Sequence, residues 1–206
     1  MELRAMDKGC RTARRERKDA QRNLERVLNA AQALFAERGA EVTMEEVARR
    51  AGVGVGTIYR RFPSKEQLFA AVSHAACDHT RHCLIAAADA SPDPVQKLRA
   101  LVLVQYQRTA EQAALLELHP ADAATSRHAE QQHLYETLHA MLEQAIRDGQ
   151  RQGVVRAGNP AALATLCLEL VSPRAFAHLA RVLGDKPDEL AEYVVGFVLG
   201  GLGTNS

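Results

Sequence analysis

The chain has 206 residues, 47% hydrophobic and 25% charged, a balance that fits a globular protein with a core and excludes a disordered or fibrous chain. Its formal net charge of +1 hides an asymmetry: residues 1–75 carry 15 Lys and Arg against 10 Asp and Glu, whereas residues 76–206 carry 11 against 15. The first part is suited to meet a polyanion and the second is not. Apolar runs such as Leu101–Val104 are far too short to cross a membrane. The basic N-terminus is not followed by the apolar stretch of a secretory signal, so a cytoplasmic location without membrane attachment is expected. Cys10, Cys77, Cys83 and Cys167 form no CxxC. On one helix, Cys77 and Cys83 would stand about 9 Å apart along the axis, too far for a disulfide, so reduced thiols are expected.

In chain order, residues 1–22 carry Arg11, Arg14, Arg15, Arg17, Lys18 and Arg22 with no regular apolar period. They read as a flexible basic arm that becomes helical near its end. From Leu24, the residues Val27, Leu28, Ala31, Leu34 and Phe35 recur at helical spacing, and Gly39 suits the stop. Thr43-Met44-Glu45-Glu46 is a capping box that opens a short helix ending near Arg50, and Ser64-Lys65-Glu66-Gln67 repeats the device for a longer helix to about Leu84. Asp93-Pro94, Asn159-Pro160 and Asp185-Lys186-Pro187 mark later helix starts. Between them run helix-periodic segments: Val95 to about Leu118, Ser126–Gln152, Ala161–Leu183 and Asp188–Leu202, with Pro173 breaking or kinking the third. Strand signals are nearly absent. The expected fold is all-α with about nine helices: an N-terminal helix-turn-helix head of three helices, then a larger helical domain.

The stretch from Thr43 to Lys65, TMEEVARRAGVGVGTIYRRFPSK, carries the function. Ala48 is small where a second helix must cross closely, and Gly52 suits a turn that needs a positive φ. Val47, Val53, Ile58 and Phe62 are placed to pack against the Leu24–Phe35 face. That leaves Val55, Gly56, Thr57, Tyr59, Arg60 and Arg61 outward, as a recognition helix in a major groove requires. Gly54 and Gly56 lack side-chain bulk, so the backbone can approach DNA. Thr57 and Tyr59 offer hydroxyls to phosphates, and Arg60 and Arg61 serve phosphates or guanine edges. Lys65, a cation in a helix's first turn, opposes the macrodipole unless a phosphate sits there.

At these residues the sequence resembles the TetR family of regulators. The resemblance covers Leu24 to about Val72, through LNAAQALFAERG, Thr43 and AGVGVGTIYRRFPSKEQLF. It implies a DNA-binding head over residues 23–70 and a helical ligand-binding and dimerisation domain over 71–206. It further implies an Ω-shaped homodimer joined through the last two long helices, holding double-stranded, palindromic operator DNA until a small-molecule effector releases it. By family position Thr43, Thr57, Tyr59 and Lys65 would contact phosphates, and Gly54, Val55, Gly56, Arg60 and Arg61 would lie at or near the groove. Many members carry a polar residue at the positions of Gly54 and Val55. Base reading here would then lean on Arg60, Arg61 and contact of Val55 with thymine methyls.

For the effector pocket, Tyr106, His133, Leu138, Met141, Cys167 and Phe176 are candidates by type, each with ordinary core as the competing reading. His74, Cys77, Asp78, His79, His82 and Cys83 are metal-ligand types on the helix expected to transmit the signal, so a metal or thiol-redox sensor is an alternative. One straight helix rarely completes a tetrahedral site and no zinc spacing matches, which favours a polar surface. No cofactor is called for. An enzyme is not expected, since no nucleophile elbow, HExxH, P-loop or GxGxxG occurs. A ligand-independent DNA binder would be basic throughout, unlike this C-terminal part.

Overall fold

The computed structural model describes the backbone of residues 3–117 and 124–203 and the side chains of residues 19–39, 41–112 and 131–203. Among the described residues there are nine α-helices and no strand: α1 (Leu3–Arg38), α2 (Met44–Ala51), α3 (Val55–Arg61), α4 (Lys65–Asp89), α5 (Pro94–Glu117), α6 (Ala124–Arg151), α7 (Pro160–Leu170), α8 (Pro173–Leu183) and α9 (Pro187–Leu202). A single 3-10 turn, Gly39–Glu41, follows α1. The all-α expectation holds.

Most helix starts are built by the residues that announced them. Asp93 Oδ1 accepts the Gln96 N–H at 2.8 Å, Asn159 Oδ1 that of Ala162 at 3.2 Å, and Ser172 Oγ that of Ala175 at 3.2 Å. Each acceptor stands just before a proline whose missing N–H costs nothing in a first turn. Just before Pro173 the helix ends and a new one starts, so the expected single segment becomes α7 and α8. Two expectations need correction. The Ser64 hydroxyl caps the Gln67 N–H, but the carboxylate bonded to it is Glu66, not the Gln67 side chain a capping box would use. The arm expected over residues 1–22 is helical from Leu3. Its Ala, Arg, Lys, Glu and Gln lose little rotamer freedom in a helix, and continuing a helix nucleated by the packed Val27–Phe35 face needs no apolar period of its own.

The helices enclose two hydrophobic clusters. One gathers Val27, Ala31, Leu34 and Phe35 of α1, Val47 and Ala48 of α2, Ile58 of α3 and Leu68, Phe69 and Val72 of α4. The Phe35 and Phe69 rings meet edge to face at 5.3 Å. The other joins Leu84 and Ala88 of α4 to α5, α6, α7 and α9, with Leu98, Leu101, Tyr106, Leu138, Ile146, Val194 and Val198 among its members. Thus α4 contributes its first turns to one cluster and its last to the other. Close approach fixes one glycine: a Cβ on Gly149 of α6 would stand 2.4 Å from Cγ2 of buried Val155.

Candidate functional site

The site begins with the turn between α2 and α3. Thr43 caps α2: its Oγ1 accepts the Glu46 N–H at 3.3 Å, and Glu46 Oε2 accepts the Thr43 N–H at 3.0 Å. Arg38 pairs with the same Glu46, and Arg50 holds Glu37 by two bonds of 2.5 and 2.7 Å, so α1 is tied to both ends of α2. The Thr43 backbone N–H and Arg38 together hold the Glu46 carboxyl below its ordinary range, and the Arg50 bond does the same for Glu37. Gly52 ends α2 at φ +64°, a left-handed conformation that its missing Cβ permits, and its N–H reaches the Ala48 and Arg49 carbonyls.

From this turn α3 runs with Ile58 as its buried residue. Val47, Ile58 and Phe62 are buried and Val53 packs beside them. Val55, Gly56, Thr57, Tyr59, Arg60 and Arg61 are all exposed, with Val55 at 39% and Tyr59 at 44%. Among the described residues no heavy atom lies within 4 Å of a Cβ built on Gly56, and only the Thr57 hydroxyl, at 3.8 Å, approaches one on Gly54. Neither glycine is required by packing inside the chain. The Arg60 guanidinium donates to Thr57 Oγ1 at 3.3 Å, which holds it along the outward face. Lys65 opens α4, half-buried, one residue after the capping Ser64.

One feature was missed by the sequence reading. Because α1 continues past residue 23, Ala20, Gln21 and Asn23 line a groove of about 590 Å3 with Thr57, Arg60 and Arg61. The signal available was the run of good helix formers before Leu24.

The six pocket candidates are distributed differently. Tyr106, Leu138, Cys167 and Phe176 are buried, Met141 packs against their cluster, and His133 is exposed. Tyr106 donates its hydroxyl to the Leu170 carbonyl at 2.8 Å and meets the Phe176 ring edge to face at 5.6 Å. Burial pushes the Tyr106 hydroxyl up to about 12 and the Cys167 thiol up to about 11. A polar cavity does lie between α4, α5 and α6, but other residues line it, Thr80, Gln105, Thr109 and Tyr135 among them.

On α4, Asp78 pairs with His74 Nε2 at 3.2 Å and Arg81 at 2.7 Å, and Cys83 Sγ lies 3.8 Å from His79 Nε2. Among the described residues no three His, Cys, Asp or Glu side chains gather closely enough to hold a metal ion. Cys77, Cys83 and Cys167 are not joined in disulfides. No described helix is long and apolar enough to cross a membrane.

Comparison with known proteins bears on both halves. Residues 27–72 match the bacterial regulatory proteins of the tetR family. An HTH-type transcriptional regulator of Staphylococcus aureus (strain USA300) is 43% identical over 53 residues, which are 25% of this chain and 29% of that one. The match therefore spans less than a third of that relative's length. Over the whole fold, a Saccharomonospora viridis protein described as a transcriptional regulator, solved with choline, superposes with a TM-score of 0.72 at 21% identity, covering 88% of this chain and 98% of its own. The SmeT–triclosan complex superposes at 0.68 and 22% identity, covering 89% and 93%. The helix-turn-helix segment is thus matched in sequence to the bacterial regulatory proteins of the tetR family, and the described helices as a whole are matched in fold by these solved structures.

Proposed function

We infer that this chain is a transcription regulator that binds a palindromic operator as a homodimer and releases it when a small molecule binds among the helices after the head. The carrying observation is the outward face of α3. It presents two arginines and two hydroxyls beside two glycines, Gly56 with no described atom within 4 Å of a built Cβ and Gly54 with only the Thr57 hydroxyl at 3.8 Å. A surface with that composition matches a DNA groove, where cations and hydroxyls meet phosphates and base edges. Thr43, Thr57, Tyr59 and Lys65 are assigned to phosphates, and Gly54, Val55, Gly56, Arg60 and Arg61 to the groove. Residues 23–70 form the DNA-binding unit and 71–206 the effector-binding and dimerisation unit.

Dimerisation is assigned to α8 and α9. Val182 is 79% exposed, Phe197 67% and Tyr193 60%, and apolar surface gathered on neighbouring helices is a usual mark of an interface. Release requires an effector with unequal affinity for two arrangements of the heads. Because α4 belongs to both hydrophobic clusters, a shift at its far end reaches the head. Half-sites lie about 34–36 Å apart per DNA turn, so a modest change in head spacing ends the fit. Choline and triclosan, held by the two superposed proteins, are chemically unlike, so the fold supports a small-molecule effector without naming it. Footprinting of the DNA upstream of its own gene tests the reading: protection of a short palindrome is expected, relieved by the effector. A purified protein that protects no such site removes it.

A further inference from the structure

The cavity between α4, α5 and α6 contains a buried acceptor that the fold leaves unused. Gln105 is 4% exposed, and its Nε2 donates to the Thr109 hydroxyl at 3.3 Å. Its Oε1 accepts no hydrogen bond from any described residue. A buried acceptor left so is a net cost to the folded chain. The neighbours are committed: Thr80 donates to the Ala76 carbonyl at 2.9 Å and accepts from Gln112 Nε2 at 2.9 Å. Arg108, the lining side chain with a formal charge, is turned to Glu111 at 2.8 Å. What the cavity offers a guest is thus a wall whose one cation is already held by Glu111, and a buried acceptor, Gln105 Oε1, that no described residue uses. A carboxylate would bring a charge there without a dedicated partner.

We propose that this cavity is the polar subsite of the effector, which presents a neutral N–H or O–H donor to Gln105 Oε1. The assignment rests on the effector reading above and adds the chemical class of the molecule. The cavity is small as it stands, about 30 Å3, so it takes a single polar group while the rest of the effector spreads the helices around it. Gln112, which ties α5 to α4 here, also lines the crevice where Asn29 and Gln32 of α1 face α5. A guest that spreads α4 from α5 therefore acts one side chain away from the head.

The test uses three probes of matched shape, acetamide, acetone and acetate, titrated into the full chain and followed by the side-chain amide signals of its glutamines. Acetamide, which alone carries the donor, is expected to saturate in the millimolar range and to shift the Gln105 amide. Acetone and acetate should bind about tenfold more weakly, the ratio expected for one lost hydrogen bond. Gln105→Met should weaken acetamide by a similar factor without lowering the melting temperature, because it removes an unsatisfied group. Should that variant misfold, nuclear Overhauser contacts from acetamide to the Thr80 and Thr109 methyls in the unaltered chain decide the location. Equal binding of the three probes, a preference for acetate, or no saturation by acetamide overturns the subsite and leaves the effector reading to be judged by operator release. Acetamide bound at Gln105 in a protein that no small molecule releases from DNA keeps the subsite and removes the sensing.

Discussion

Gly56 separates the demands of folding from those of recognition. Glycine inside a helix costs about 0.5–1 kcal/mol relative to alanine, and among the described residues no atom requires it here. Gly56→Leu should therefore fold with an unchanged or slightly raised melting temperature and lose operator affinity, because its side chain would stand where DNA approaches. A variant that folds and binds operator normally places the DNA elsewhere. Arg60→Ala and Arg61→Ala should each weaken specific binding, by about 1–3 kcal/mol where the side chain meets a guanine, read by titration against the footprinted site. The outward set on α3 was legible because an exposed row of glycine, tyrosine and arginine on either side of buried Ile58 has no use in packing. Thr43 shows the reverse difficulty. Its hydroxyl already serves the Glu46 N–H, and sequence cannot tell a cap from a phosphate contact when one side chain suits both.

At the scale of elements, the helix starts were legible because capping chemistry is local: an acceptor side chain, then proline, then an apolar period. Features set by distant neighbours were not. The groove beside α3 depends on α1 already being helical at Ala20 and Gln21, residues whose polar sequence reads equally well as an arm. Gly149 is a second case. Two turns of sequence around it, with Gly153 following, give no hint that Val155 folds back against it. The Cβ of alanine there would press Val155 Cγ2 at 2.4 Å, and overpacking of this kind costs about 1–3 kcal/mol, more than the helix gains from losing glycine. Gly149→Ala should thus lower stability by about 1–2 kcal/mol in denaturant melts, the opposite sign to Gly56→Leu. A stabilised Gly149→Ala would mean that the turn after α6 yields readily.

For the whole molecule, the pocket residues were the least legible part, because Tyr106, Cys167 and Phe176 are residue types that suit a core and a ligand equally. The structure packs them solidly, with a consequence for pH. The Cys167 thiol is raised from 9.0 to about 11 and the Tyr106 hydroxyl from 10.0 to about 12, both by burial. Below pH 9 both groups are neutral in folded and unfolded chains, and the stability this gives is fully present. As pH rises, the unfolded chain ionises first, so stability falls between about pH 9 and 12, by on the order of 3 kcal/mol for each group at most. The melting temperature should drop steadily above pH 9, and a flat profile to pH 11 would contradict the burial of both groups.

The exposed apolar face of α8 and α9 leads to the last expectation. On α9, Leu190, Ala191, Val194, Val195 and Val198 are buried, whereas Tyr193 and Phe197, one turn apart, point away from that core. Gly196, Gly200 and Gly201 add open surface beside them, with no described atom within 4 Å of a built Cβ. A face of two large rings and small residues lets a second helix approach closely, as helix packing at 8–10 Å requires. Replacing Tyr193 and Phe197 by Glu would set like charges opposite each other across a two-fold interface, while the interior of each chain, which neither ring enters, keeps its packing. Sedimentation equilibrium should show the unaltered chain as a dimer and the double variant as a monomer with an intact far-ultraviolet helix signal. Operator affinity should fall with it, because each head would then bind its half-site alone. A double variant that stays dimeric would move the interface off α9, and one that turns monomeric yet holds the palindrome as tightly would separate DNA binding from dimerisation.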